Sequence, residues 1–219
     1  MGENTTASGN ASTAMGYFTI ASGWYSTAMG YQSTASGSYC TAMGYDATTS
    51  ANFSTAMGSF TTASGPSSTA MGYDTTASEY YSTAMGMSTT ASGNSSTAMG
   101  RITTAKGWYS TAMGYDTTAS DYASLVIGQY NSSGSSVTNN RYYFNTANTA
   151  FVIGNGTASN AKSDAFKVMF NGDTTISNDL TVSGDIVITS DSRLKSNIVT
   201  LGSTIPKLLQ IDGKSYEMK

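Results

Sequence analysis

Carboxylates recur in one register of this chain. Asp46 and Asp74 lie 28 residues apart and Asp116 a further 42, all multiples of fourteen. If fourteen residues make one rung of a stack, Asp46 and Asp74 stand about 10 Å apart, near the upper limit for two carboxylates that activate water between them. No pocket-forming residues accompany them, so solvated turn aspartates are the expectation. Methionine also recurs at this period and could form a soft-metal ladder, but side chains repeated on one strand face are expected to be interior filler. Histidine is absent and Cys40 is the single cysteine. Those absences remove the Ser-His-Asp triad, the imidazole base, the His-ligated metal and the intrachain disulfide. No metal or cofactor is expected.

Composition narrows the class further. Charged residues make up 11% and the net charge is −3, so there is no basic face for phosphates and no nucleic-acid partner is expected. No apolar run reaches about 18 residues, and nothing after Met1 reads as a secretory signal. Membrane insertion is therefore not expected.

The element that must position these residues is a repeat. TAMG occurs at 13–16, 27–30, 41–44, 55–58, 69–72, 83–86, 97–100 and 111–114, becoming LVIG at 125–128. A second motif, TASG, lies halfway between, at 6–9, 34–37, 62–65 and 90–93, with variants IASG and TAKG. Such a period suits one coil of a small all-β solenoid with two short strands and two tight turns, glycine supplying the turn dihedrals. A heptad helix would place Gly at every seventh residue with almost no flanking charge, which helices disfavour. Strand alternation puts Thr13 and Met15 on one face and Ala14 on the other. So small a coil encloses little apolar volume, and self-association is the natural remedy.

Aromatic residues collect at the turns. Tyr17, Tyr31, Tyr45, Tyr73 and Tyr115 follow the TAMG glycine, while Trp24, Tyr25, Tyr39, Phe53, Tyr80, Tyr81, Trp108 and Tyr109 crowd the opposite turn. Exposed stacked rings would bind a glycan or protein receptor; the alternative is that they stiffen the rod or pack between subunits. The Tyr17 column with Trp24 and Trp108 forms the candidate receptor surface. Cys40 replaces Ser in the column Ser12, Ser26, Ser54, Ser68 and reads as incidental.

The STAMGY…TTASG pattern over about residues 5–128 resembles the head repeats of trimeric autotransporter adhesins of the YadA type. The resemblance implies a left-handed parallel β-roll of fourteen-residue coils that forms a homotrimer. Met stands where that family mostly has Ile or Val.

After Gly128 the period breaks. Residues 129–160 read as a polar loop and a further coil, since FVIG at 151–154 echoes LVIG. Residues 161–189 alternate as short strands around the Asn171-Gly172 turn signal, resembling the β-stalk that follows the head in trimeric fibres. Charge returns here: seven of the 23 charged residues lie within 1–120 and fourteen within 160–219.

Residues 190–219 resemble the start of the intramolecular chaperone domain of phage tailspikes, peptidase family S74. Ser190, Asp191, Arg193, Leu194, Lys195, Asn197 and Ile198 carry the match, followed by an apolar helical segment around Leu208 and Leu209. The family cleaves itself with a Ser-Lys dyad, which implies Ser190 as nucleophile, Lys195 as base and Thr189-Ser190 as the scissile bond. A desolvated lysine can lose its proton near neutral pH, so the step needs no imidazole. Read as ordinary structure, Ser190 or Asp191 is instead a helix N-cap. The segment is much shorter than the family's domain.

Together these features imply a homotrimeric fibre or spike that attaches to a cell surface through a glycan or protein receptor, on a virion tail or another extracellular structure. A phage, virus or injection-system fibre is favoured over a secreted bacterial surface adhesin. Self-cleavage is the one enzymatic activity expected. An ice-binding solenoid, using the Thr13 to Thr111 column, and a polysaccharide-degrading tailspike are the alternatives.

Overall fold

The computed structural model describes residues 2–132 and 140–185. Residues 1–180 form one compact unit and residues 181–219 a second, described only over 181–185. Ser190, Lys195 and the expected helix around Leu208 lie outside the described residues. The described residues are all-β: a parallel solenoid whose coils each contain one long and one short strand.

The long strands are built on TAMG. Thr13–Tyr17 pairs with Thr27–Tyr31 in register Thr13↔Thr27, Ala14↔Ala28, Met15↔Met29, and the same fourteen-residue offset carries the sheet to Thr111–Tyr115 and Leu125–Gln129. The short strands, from Thr6–Ala7 to Thr118–Ala119, form a second parallel sheet of nine. Each coil donates its backbone N–H groups along the rod axis, as in Thr13 N to Ser26 O at 2.9 Å and Thr6 N to Thr19 O at 2.8 Å. Stability is therefore supplied largely by nearest-neighbour coils.

The methionine column does not fill the interior, contrary to expectation. Alternation in Thr27–Tyr31 buries Ala28 and turns Thr27 and Met29 outward. Met15 is 40% exposed, and the other methionines of the column lie half-buried or exposed on the outer face. The inward positions belong to Ala28, Ala42 and Ala56 from the long strands and Ala21, Ala35 and Ala63 from the short ones, all at 0% exposure. Two sheets only a few residues wide lie too close to admit a side chain as long as methionine, and Thr49, Val126 and Val152 are the largest residues in the inward columns. Ser26, Ser54 and Thr19, Thr61, Thr75 complete the buried lining.

Glycine is also used differently from the expectation. The TAMG glycines do take positive φ, from 111° at Gly30 to 136° at Gly44, as does Gly128 of LVIG at 97°, but the TASG glycines do not. The left-handed turn positions are instead filled by non-glycine residues every seven positions, among them Phe18, Tyr25, Gln32, Tyr39 and Asp46, at φ of 52–59°. Such a residue costs roughly 1–2 kcal/mol. Each offsets that cost with an axial hydrogen bond to the preceding coil, as in Phe18 N to Glu3 O at 3.0 Å and Tyr25 N to Asn10 O at 2.8 Å. What glycine supplies is closeness: a Cβ on Gly16 would overlap the carbonyl oxygen of Gly30 in the next coil.

Past Gly128 the solenoid closes. Thr149–Asn155 restores one parallel strand in register Leu125↔Phe151 and Ile127↔Ile153, so FVIG is a further coil after an insertion. Asp164–Met169 and Thr174–Ile176 then add to the same sheet antiparallel, joined by the Asn171-Gly172 turn. Asn131 marks the end of the short-strand sheet. Its side-chain amide accepts from Thr118 N at 2.7 Å and donates to Thr118 O at 3.0 Å, standing in for the missing next strand.

Candidate functional site

Two aromatic columns run along the turns. In the first, Tyr17, Tyr31 and Tyr45 stack face to face, with centroids 5.3 and 4.9 Å apart and ring planes within 18°. Ser59 interrupts the column, and Phe60 fills the gap, edge-on to Tyr45 at 5.2 Å and Tyr73 at 5.8 Å. Farther along, the Arg101 guanidinium lies 5.2 Å over Tyr115, whose other contact is Tyr130 at 5.1 Å. The hydrogen bond to Tyr115, with help from burial and the nearby Asp116 charge, raises the Tyr130 phenol above its ordinary value. In the second column, Tyr25, Tyr39 and Phe53 stack at 4.9 and 5.2 Å.

The two tryptophans grouped by sequence have different surroundings. Trp24 is 62% exposed. Trp108 is half-buried: the insertion folds back on it, with Trp108 N donating to Arg141 O at 2.8 Å and the Tyr142 ring edge-on at 5.5 Å. Trp108 therefore anchors the insertion, whereas Trp24 offers open ring surface. Tyr115 is likewise covered on its flanks, while Tyr73 is open.

Asp46, Asp74 and Asp116 all sit at left-handed turn positions, which short polar side chains tolerate. Asp74 accepts from the Ser88 hydroxyl at 3.1 Å, and Asp116 pairs with Lys162 at 3.3 Å. These are turn and surface contacts. No group of three His, Cys, Asp or Glu side chains converges among the described residues.

Cys40 has a more particular setting than sequence indicated. Its buried thiol donates to Gly37 O at 2.8 Å and accepts from the Thr49 hydroxyl at 3.0 Å. Thr49 replaces the usual Ala of its column and Ala47 the usual Thr of another, so volume is exchanged within one coil. Burial pushes the Cys40 thiol up, against the opposing hydrogen bonds, and a protonated buried thiol is unreactive.

The outward Thr27 to Thr111 column shares its face with methionine, as alternation requires, and a second outward column, Thr34 to Thr118, runs along the short-strand sheet. Sequence reasoning missed the left-handed register, which leaves no residue-type signature because Phe, Tyr, Gln, Asp and Ser all occupy it. The interruptions of the aromatic columns were legible in the sequence, as Ser59, Met87 and Arg101 in the first and Ser67 and Ser95 in the second, but not the way Phe60 and Arg101 cover the rings beside them.

None of the curated proteins compared matches this chain. The model of the YadA head domain repeat matches successive segments, 1–19, 21–39, 41–61, 63–89, 82–101, 91–117 and 105–131. These segments cover more than half of the sequence and span the region of the coils described above, and the chain belongs to the YadA head-repeat family.

Proposed function

We propose that this chain is a segment of a homotrimeric fibre that attaches to a cell surface, with the β-roll as its head. One observation carries the reading. The outer face of the long-strand sheet presents an unbroken column of methionines flanked by threonines, far more apolar than the Thr/Ser face of the short-strand sheet. A roll lined by Ala, Ser and Thr buries little apolar area of its own, so covering that stripe with two further copies adds the missing burial. Membership of a family of adhesin head repeats supports an extracellular, surface-exposed setting. The aromatic turn columns, centred on Tyr17, Tyr31, Tyr45, Tyr73 and Trp24, lie beside the methionine face and are the proposed receptor surface. Beads coated with the purified chain adhere to susceptible cells on this reading, and adhesion no greater than that of uncoated beads across a panel of bacterial and eukaryotic cells contradicts it.

The fibre belongs, on the C-terminal resemblance, to a phage, virus or injection system, and Ser190 with Lys195 cuts the Thr189-Ser190 bond after assembly. That step is tested in a chain extended through a whole C-terminal domain: wild type is cut and Ser190→Ala stays intact, whereas an uncut wild type removes the cleavage reading.

A second reading is kept open by the two outward threonine columns, whose methyls and hydroxyls repeat at the coil spacing. It makes the rod an ice-binding surface, and thermal hysteresis at micromolar chain tests it directly.

A further inference from the structure

The second aromatic column contains two vacant positions. Reading along it, Tyr25, Tyr39 and Phe53 are stacked, then Ser67, Tyr81, Ser95 and Tyr109 alternate. In the stacked part, successive rings stand 4.9 and 5.2 Å apart, so each serine leaves a slot one ring thick between two rings. In the first column Phe60 closes the corresponding gap at Ser59. Here the neighbouring turn residues are Pro66 and Asn94, neither of them aromatic, and the nearby Tyr80 ring lies tilted at 45° beside Tyr81, with centroids 6.3 Å apart, and does not stack on it. The uncovered faces show in the exposures of Phe53, 60%, and Tyr81, 63%, against 50% for Tyr25 and 54% for Tyr39; Tyr109, packed edge-on against Tyr122 at 5.3 Å, is 51% exposed.

We propose that these slots, Phe53–Ser67–Tyr81 and Tyr81–Ser95–Tyr109, take alternate sugar rings of a neutral glycan lying along the rod. This rests on the attachment reading and names its ligand class. A pyranose is bound by aromatic faces that meet its C–H surface and by amide and hydroxyl groups at its rim. Both kinds of group are present. The Asn94 side-chain oxygen accepts from the Ser95 hydroxyl at 2.9 Å, which leaves its amide NH2 available beside the second slot. The slots share Tyr81 as a wall and lie two coils apart, roughly 9.6 Å, the length scale of a disaccharide repeat. That regular spacing favours a linear polymer of rings over a single aromatic side chain of a protein partner. Glu79 is the one charged residue on the turns 51–54, 65–68, 79–82, 93–96 and 107–110, so an acidic polysaccharide is disfavoured.

The test fills the slots. Tyr already occupies the same left-handed position at residues 25, 39, 81 and 109, so Ser67→Tyr with Ser95→Tyr extends the stack without new backbone strain. The full-length chain is screened by saturation-transfer NMR against neutral tetrasaccharides of glucose, N-acetylglucosamine, galactose and mannose. Wild type binds at least one of these, the double variant loses at least tenfold in affinity, Phe53→Ala weakens binding, and Gln32→Ser, at an exposed turn position of the register that Ser88 also holds, leaves it unchanged. Binding undiminished in the filled variant, no binding by wild type, or capture of a Phe- or Trp-containing peptide in place of every sugar overturns the assignment. Cell adhesion measured in parallel separates the two readings: wild type that adheres but binds no sugar overturns the slots alone, and wild type that does not adhere overturns attachment.

Discussion

The coils up to Gly128 and the closing segment from Asn131 to Ile176 solve the same problem in opposite ways. Within the repeat, every strand hydrogen bond is satisfied by an identical copy one coil away, and no side chain needs to be special. At the close there is no next copy, so polar side chains take over. Asn131 caps Thr118, Asp121 in a glycine column accepts from Thr149 N at 2.9 Å, and Asp164 accepts from Ser132 N at 2.8 Å. Asp121, Asn131 and Asn148 are all fully buried. A ladder is inexpensive to extend and costly to end, because ending it leaves backbone groups that water must reach or side chains must satisfy.

The sharpest way to break the repeat is to disturb coil contact. Gly72 has φ +125°, and a Cβ there would overlap the Gly86 carbonyl oxygen. Gly72→Val is expected to cost about 4 kcal/mol or more, read as a collapse of the thermal midpoint. The other glycine column should respond differently, since it already holds Ala51, Glu79 and Asp121. Ala51 and Glu79 forgo a second hydrogen bond of the kind that Gly65 N makes to Ala77 O at 3.3 Å. A Cβ on Gly65 would also meet a carbonyl oxygen, that of Glu79, but without a positive φ and in a column that already accommodates Ala51, so Gly65→Val should cost less than Gly72→Val. Equal losses at the two columns would refute the distinction.

At the close, Asn131→Ala leaves the Thr118 N–H and carbonyl without their partners and should cost about 2 kcal/mol. Hydrogen exchange should quicken at Thr118 and its neighbours and stay unchanged in the first coils; uniform quickening would mean that the end does not behave separately.

The period, strand positions and extra coil at FVIG were legible because alternation and repetition are properties of residue order. Which face points inward was not. Thr-Ala-Met-Gly has one small and one large apolar residue on opposite faces, and hydrophobicity alone selects Met. The deciding quantity is the distance between the sheets, which appears only when two strands of a few residues close on each other. The candidate receptor residues were legible as a column, but Tyr115 and Trp108 are covered by Arg101, Tyr130 and the returning insertion, contacts that no local pattern announces.

Smaller effects sharpen the same comparison. The hydroxyls of Thr61, Thr75, Thr89, Thr103 and Thr117 are buried with no hydrogen-bond partner. Thr75→Val keeps the shape and removes the desolvated hydroxyl, so stability should rise by about 1 kcal/mol; a fall in the unfolding midpoint would show that the hydroxyl is satisfied. At the close, burial raises the Asp164 carboxyl above its ordinary value despite the Ser132 hydrogen bond. The folded chain thus holds that proton at a pH where the unfolded chain has lost it, and stability falls as pH rises through that interval. Asp164→Asn should flatten this part of the pH profile, and an unchanged slope would assign it elsewhere.

The central claim is that the methionine face is covered by sister chains. Light scattering with size separation on the purified chain tests it most directly, together with Met57→Glu/Met71→Glu on that face. The wild type should have three times the 22.7 kDa mass of one chain, and the double variant should fall to a single chain or fail to fold. A wild type that remains a stable, folded monomer at micromolar concentration would contradict the account.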